Sequence, residues 1–558
     1  MKSNNYPFYK RVPKWLGILV HIFMFFPILF VSGTYTSNSG EMTSGLGIIS
    51  EHIQFSNFAT AIGMVVFTPF MVRFLEIRRT KIVFLLGFIF LFFLSFFCAN
   101  TDSIWFLMLC SLLTGFIRII LIFNTLFSLI TYASGLDVLP LIKPDMATHD
   151  PETVNKMDYL KAVALPFLYL FFICIGQIGS SLTAWLAYEY EWQYVYYFMM
   201  GLTLAATFLT EVTMKYENRV KNFPVNLNKF GDIILAAILM TSLCYVLIYG
   251  KTLDWFNDIS IRIAFILFLL SLGLFIVIET NSKRPYLMLQ VLRQKNVLIA
   301  VTIFMLLMLV NSSSMLVTVF TDVSMKINNV QKASLSNYSM IGYVIGAITA
   351  SIMAKKNIHF KYIFCVGFLL IIISAIYMYF QYQSMGLYKN MIFPTIIRSA
   401  GMIMLYAMSA VYGMKKLPMK FLASWIFVML AFRSVIAPVT GTTVYTNLLN
   451  ERQQYYITRL SQNMDMLDPQ ISSTYSQTIA GSMMQGRSYE EAQTLAATSI
   501  KGRVQVQAVL ASLKEITGLT IFAGFACIVI VLSIRYTKED YLCRQKLKSI
   551  ANEFIQDS

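Results

Sequence analysis

Stretches of about twenty predominantly apolar residues recur from one end of the chain to the other, separated by short polar linkers. Each is long enough for a helix rising about 1.5 Å per residue to cross roughly 30 Å of hydrocarbon. Lipid offers no hydrogen-bond partners, so a crossing segment must satisfy its own backbone as a helix or join a closed barrel, whose strands need only about 9–11 residues. Runs twice that length exclude the barrel. Of 558 residues, 57% are hydrophobic and 13% charged, against the roughly 25% charged that is usual for water-soluble domains.

In order, the runs predict spans near 15–36, 57–73, 81–99, 104–130, 162–187 and 194–213, then a central pair near 229–250 and 259–279. A second set follows near 298–320, 336–354, 362–381, 391–413, 421–445 and 515–535. This is an all-α polytopic membrane protein of about fourteen transmembrane helices in a 6+2+6 arrangement. The expected units are an N-terminal six-helix bundle over 1–213, two additional helices over 214–297 and a C-terminal six-helix bundle over 298–558. Basic residues fall in alternate linkers: Arg73, Arg78, Arg79 and Lys81; Lys215, Arg219 and Lys221; Lys283, Arg284, Arg293 and Lys295; Lys355, Lys356 and Lys361; Lys415, Lys416 and Lys420. By the positive-inside rule these linkers and both termini face the cytoplasm. Lys2, Lys10, Arg11 and Lys14 precede a first run too long for a signal peptide, which is read as an uncleaved helix.

Two linkers are longer than the rest. Residues 131–161 read as a cytoplasmic loop, and residues 446–512 as an outer helical loop in which Ser488 and Glu491 have capping-box spacing. The formal charge of +16 sits in short clusters between apolar runs, which makes it a topology signal and argues against nucleic acid as a partner. Of seven cysteines, all but Cys543 lie in apolar runs and none has CxxC spacing. His21 and His359 lack a second ligand at metal spacing, and no phosphate-binding loop or catalytic triad pattern is visible. Neither a metal, a cofactor nor an enzyme activity is expected.

Several segments carry a family resemblance. YVLIYGKTLDWFND followed by RPYLMLQVLRQKN, in the central pair, resembles the EmrB-like drug/proton antiporters, fourteen-helix members of the major facilitator superfamily. IGSSLTAWLAYEYEWQYVYYF is similar to their fifth-helix exporter pattern through Gly179, Leu182, Leu186 and Trp192. PTIIRSAGMIMLYAMSAVYGMKKLP and AFRSVIAPVTGTTVYTNLLNERQQYYITRL resemble the twelfth and thirteenth helices, with their arginines at Arg398 and Arg433. Departures are present as well. The second-to-third helix signature appears as VRFLEIRRTKI with Val72 for its glycine and Glu76 for its carboxylate. In the fourth helix Cys110 and Thr114 replace an arginine and a glutamine while Gly115 remains, and the first-helix acid is missing, leaving Glu41 as the local carboxylate. The resemblance implies export of small hydrophobic or amphipathic compounds in exchange for protons across a bacterial inner membrane. It also implies a periplasmic adaptor protein and an outer-membrane channel as partners.

A charge at a helix centre costs at least about 2.5–3.5 kcal/mol unless it meets water, a carboxylate or carbonyls, so the polar residues inside the runs are the site candidates. Glu41 is the proton-coupling candidate. Tyr35, Asn38, Arg118, Asn124, Gln177, Asn311, Arg398, Tyr406 and Arg433 are candidates to line a substrate cavity, although any one of them could instead make an interhelical hydrogen bond or cap carbonyls. Glu76, Arg78 and Arg79 are inner-gate candidates. Gly176, Gly179, Ser180, Ser181 and Thr183 form a small-residue face suited to close packing or hinging. Asp232, Glu279, Glu211 and Asp322 lie near span ends, where interfacial solvation explains them. Secondary active transport is the expected function; a transporter-derived membrane scaffold or sensor without flux is the alternative.

Overall fold

The structure, a computed structural model, describes residues 7–36, 38–76, 80–134, 151–216, 230–282, 285–384, 386–415, 417–418, 421–462, 464 and 469–536. It is all-helical. The N-terminal part runs α1 (Lys14–Thr36), α2 (Ser39–Leu46), α3 (Ser50–Glu76), α4 (Thr80–Ala99), α5 (Ile104–Ser134), α6 (Pro151–Glu189) and α7 (Trp192–Thr213). The central pair is α8 (Phe230–Tyr249) and α9 (Ile259–Asn281). The rest comprises α10 (Lys295–Asn311), α11 (Ser314–Phe320), α12 (Asn329–Asn337), α13 (Ser339–Lys355), α14 (Phe360–Gln381), α15 (Tyr388–Met414), α16 (Leu422–Leu430), α17 (Ala437–Gln462), α18 (Pro469–Met484) and α19 (Tyr489–Ser533).

Helices occupy every predicted span, yet among the described residues twelve, not fourteen, are long and apolar enough to cross a membrane. The first two expected spans are occupied by α1, of 23 residues, and α3, of 27, which opens with the polar residues His52, Gln54, Ser56 and Asn57. The 131–161 loop is shorter than expected, because α5 continues to Ser134 and α6 begins at Pro151.

The two sets of helices pack in corresponding pairs. α3 lies on α5 as α13 lies on α15, α4 on α7 as α14 on α19, and α1 on α6 as α10 on α17. Between the sets, α6 meets α12 and α13, while α3 meets α16 and the π-helical turn Ala431–Ile436 that joins α16 to α17. α8 packs on α3, α9 and α17, and α9 exposes Ile263, Ile266, Leu270 and Leu274.

Backbone contact at glycines sets the tightest of these pairs. A Cβ on Gly63 would strike the Leu112 carbonyl, and one on Gly115 the Thr60 carbonyl, so α3 and α5 touch backbone to backbone. Gly342 and Gly346 make the same approach to the Ile396 and Ala400 carbonyls in α13 and α15. Without a hydrophobic drive between helices in lipid, such close approach supplies the packing that holds them together. Buried hydroxyls are satisfied along their own helices, as with Ser111 to the Leu107 carbonyl (2.7 Å) and Ser409 to the Leu405 carbonyl (2.6 Å).

α16, the π-helical turn and α17 form one segment of 41 residues, and α19 has 45. At about 1.5 Å per residue both are far longer than a bilayer's hydrocarbon is thick. Within 446–512, α17 and α19 are therefore helical extensions of crossing segments, with α18 packed along α19. The α19 start is held by the capping box read from the sequence: Ser488 Oγ accepts from Glu491 N–H, and Glu491 Oε2 accepts from Ser488 N–H, both at 3.3 Å.

The glycine contacts generate a paired prediction. Gly115→Val should lower stability by about 1–3 kcal/mol through overpacking, whereas Gly176→Ala, with nothing within 4 Å of its added Cβ, should not. Thermal unfolding of the two purified variants in one detergent separates them.

Candidate functional site

Arg433 lies in the π-helical turn Ala431–Ile436, a local widening of the helix that often marks functional positions. Its guanidinium carbon stands 4.3 Å from the Tyr406 ring centroid and 4.9 Å from that of Tyr169. The guanidinium is also within hydrogen-bonding reach of both phenol oxygens. Tyr406 comes from α15 and Tyr169 from α6, so the clasp joins the two sets of helices. The phenol rings meet edge to face at 5.8 Å, Phe304 of α10 packs edge-on to Tyr406 at 6.1 Å, and the Tyr169 hydroxyl contacts Met429 Sδ at 3.7 Å. Cation–π contacts stabilise a cation by about 2 kcal/mol when water is excluded, enough to offset much of the cost of placing Arg433 inside the protein.

Arg398, about 12 Å along α15 from Tyr406 by helical rise, has the phenols of Tyr343 and Tyr382 as its electrostatic neighbours. Arg118 is buried in α5. Gln177 and Ser181 of α6 both donate to Asn337 Oδ1 of α12, at 3.4 and 2.5 Å. These bonds form a second polar link between the sets.

A third link involves Glu41. Its Oε1 accepts from Asn329 Nδ2 at 2.6 Å, Lys332 Nζ donates to Asn329 Oδ1 at 3.0 Å, and Lys332 is ion-paired with Asp322. The chain of contacts runs from α2 to the start of α12. Glu41 Oε2 is buried and has no hydrogen-bond partner.

The other candidates are placed as follows. Asn124 donates to the Ile120 carbonyl of its own helix at 2.9 Å, the intrahelical alternative for an amide in a span. Asn38 is buried and Asn311 ends α10 beside the break at Ser312, each with its side-chain oxygen unpartnered. Gly179 lies against Phe30 of α1, and Thr183 bonds the Ser180 carbonyl at 3.0 Å. The side chains of Tyr35 and Glu76, and all of Arg78 and Arg79, lie outside the described residues. Glu211 pairs with Lys81 at 3.0 Å, and Glu279 Oε2 accepts from Leu287 N–H at 3.0 Å. Among the described residues no group of three or more His, Cys, Asp or Glu is placed to hold a metal ion.

Tyr169, Asn329, Lys332 and Asn337 were not singled out in the sequence. Tyr169 sits in the aromatic run PFLYLFF, where nothing distinguishes the one ring that faces Arg433 from those that face lipid. Asn329 and Lys332 lie ahead of the span expected at 336–354, in a stretch that reads as an ordinary linker, and Asn337 lies at the start of that span.

No protein-family model matches the chain, and no curated protein sequence matches it. Solved structures do. A point mutant of the nucleoside transporter NupG is 12% identical with a TM-score of 0.51, the match covering 91% of this chain and 99% of that one. A POT family transporter in complex with 5-aminolevulinic acid is 14% identical with a TM-score of 0.49, covering 81% of this chain and 93% of that one. The chain has a major-facilitator-type fold. With twelve helices among the described residues long and apolar enough to cross a membrane, it is a multi-pass membrane protein.

Two predictions follow from the contacts at the Glu41 end. Asn329→Ala should cost about 1–3 kcal/mol by leaving the half-buried carboxylate short of its donor. Glu41→Gln should couple to it by about 0.5–3 kcal/mol in a double-mutant cycle on unfolding; strict additivity would count against the contact. His52, ahead of the expected 57–73 span, shares a 2.6 Å hydrogen bond with the Tyr249 hydroxyl, and burial holds its imidazole below the ordinary value of 6.5 while the charge of Glu51 opposes the shift. A depressed histidine contributes stability that is present above its unfolded value and is lost as pH falls through the folded one. The stability difference between wild type and His52→Gln should therefore be constant above about pH 6.5 and shrink below it in a detergent pH series.

Proposed function

We propose that the protein is a secondary active transporter that exports small hydrophobic or amphipathic compounds by proton antiport with alternating access. In this reading fourteen helices cross the membrane as six, two and six, with the units 1–213, 214–297 and 298–558 and both termini in the cytoplasm of a bacterial inner membrane. The observation that carries it is the clasp of Arg433 by Tyr169 and Tyr406, a polar centre assembled from both sets of helices at the seam where a rocking carrier holds its cargo. The fold shared with a protein named as a nucleoside transporter supports the same reading.

The polar links between the sets then have separate tasks. Ser181 and Gln177 on Asn337, with Glu41 on Asn329, close the path at one end. Proton loading of Glu41 removes the charge that strengthens its bond to Asn329, which lets that end part. Arg433, held by π faces and phenol oxygens and, among the described residues, by no carboxylate, can exchange them for groups on a cargo molecule. Glu76, Arg78 and Arg79 are proposed to latch the opposite end. An adaptor protein and an outer-membrane channel belong to this reading through the resemblance, with the 446–512 extension as their meeting surface.

Proteoliposomes holding the purified protein should move an amphipathic dye only under an imposed pH gradient, and an uncoupler should abolish the flux. Glu41→Gln should lose gradient-driven flux while retaining dye binding. Full binding with no flux under any gradient would favour the scaffold or sensor instead.

A further inference from the structure

Neither Arg398 nor Arg433 has a carboxylate among its electrostatic partners in the described residues; each is surrounded by phenols. The ion pairs Lys81–Glu211, Lys332–Asp322 and Arg452–Glu515 involve neither of them. These two cations thus have no described acid paired with them. Arg433 Nε is buried and has no acceptor. Around that donor are flat, apolar surfaces: Tyr169, Tyr406, fully buried Phe304 and, beside Tyr169, Met429.

We infer that the molecule taken by this site is an organic anion, a carboxylate on a flat aromatic body. The carboxylate sits on the Arg433 guanidinium fork, and the body lies against Tyr169, Tyr406 and Phe304. The inference rests on the transport reading and narrows its cargo. A planar guanidinium presents paired N–H donors that match the two oxygens of a carboxylate. Phenol oxygens are weaker partners, so an arriving anion displaces them. Because Tyr169 belongs to α6 and Arg433 to the turn between α16 and α17, that displacement gives up a contact that joins the two sets. Binding and release of the seam become one event, and the displaced Tyr169 and Tyr406 hydroxyls remain close enough to flank the bound carboxylate. A cation of the same shape would meet a fixed positive charge, and a neutral amide would offer the guanidinium one carbonyl acceptor, without a second oxygen or a negative charge.

The test uses full-length protein and three probes with one naphthalene body: 2-naphthoate, 2-naphthamide and 2-naphthylmethylammonium. Binding is read in detergent by ligand-induced shifts in unfolding temperature and displacement titration, and flux is read in proteoliposomes. Naphthoate should bind about tenfold tighter than the amide, a difference of one 1.4 kcal/mol step, and the ammonium should not bind. Arg433→Gln should bring naphthoate down to the level of the amide, with a smaller loss for the amide itself. Arg433→Lys, a point charge in place of the fork, should keep the order with weaker naphthoate binding and stands in if the glutamine variant does not fold. A purely structural brace would alter stability without altering this ranking. Equal affinity for acid and amide, preference for the ammonium, no binding of any probe, or selectivity unchanged in Arg433→Gln overturns the inference. If naphthoate binds selectively but is not carried, the transport reading fails and the anion site stands; if the amide or the ammonium is carried in preference to the acid, the reverse holds.

Discussion

A guanidinium at the depth of lipid hydrocarbon must be solvated by protein, and the arrangement around Arg433 follows from that requirement. Two phenol rings supply π faces and oxygens, and the π-helical turn is where the side chain leaves its own helix. Since one phenol stands on α6 and the other on α15, the charge cannot be accommodated by either set of helices alone. Satisfying one cation fixes how the two sets meet.

What the clasp needs from the rest of the fold is rigidity at the edges and latitude at the seam. Rigidity comes from glycines that bring α3 against α5 and α13 against α15 backbone to backbone, and from hydroxyls such as those of Ser111 and Ser409 that bond carbonyls of their own helices. The seam is different. Its polar links among the described residues include the side-chain pairs Glu41 with Asn329 and Gln177 and Ser181 with Asn337, and the Ser351 hydroxyl on the Val163 carbonyl. Such contacts can break without unpairing any helical backbone, which suits a boundary that opens.

Much of this was legible in the sequence, for an identifiable reason. Length and apolarity alone place helices in lipid, so every predicted span is helical, and the Ser488 capping box marks the start of α19. Arg398, Arg433 and Tyr406 could be singled out because charge and polarity in an oily run are costly. Their partners could not. Tyr169 is one aromatic among many in α6, and which ring faces inward depends on tertiary packing that periodicity does not encode in a helix apolar all round. The same limit separates Gly115 from Gly176: both read as small residues in a span, but only the first has another helix's carbonyl against it.

The most direct test of the clasp is a double-mutant cycle on unfolding with Arg433→Gln and Tyr169→Leu, residues 264 positions apart in the chain by their numbers. Groups in direct contact should show a coupling of about 0.5–3 kcal/mol. Effects that simply add, within about 0.5 kcal/mol, would mean that the two side chains do not share an interaction and that the two sets of helices are not joined there.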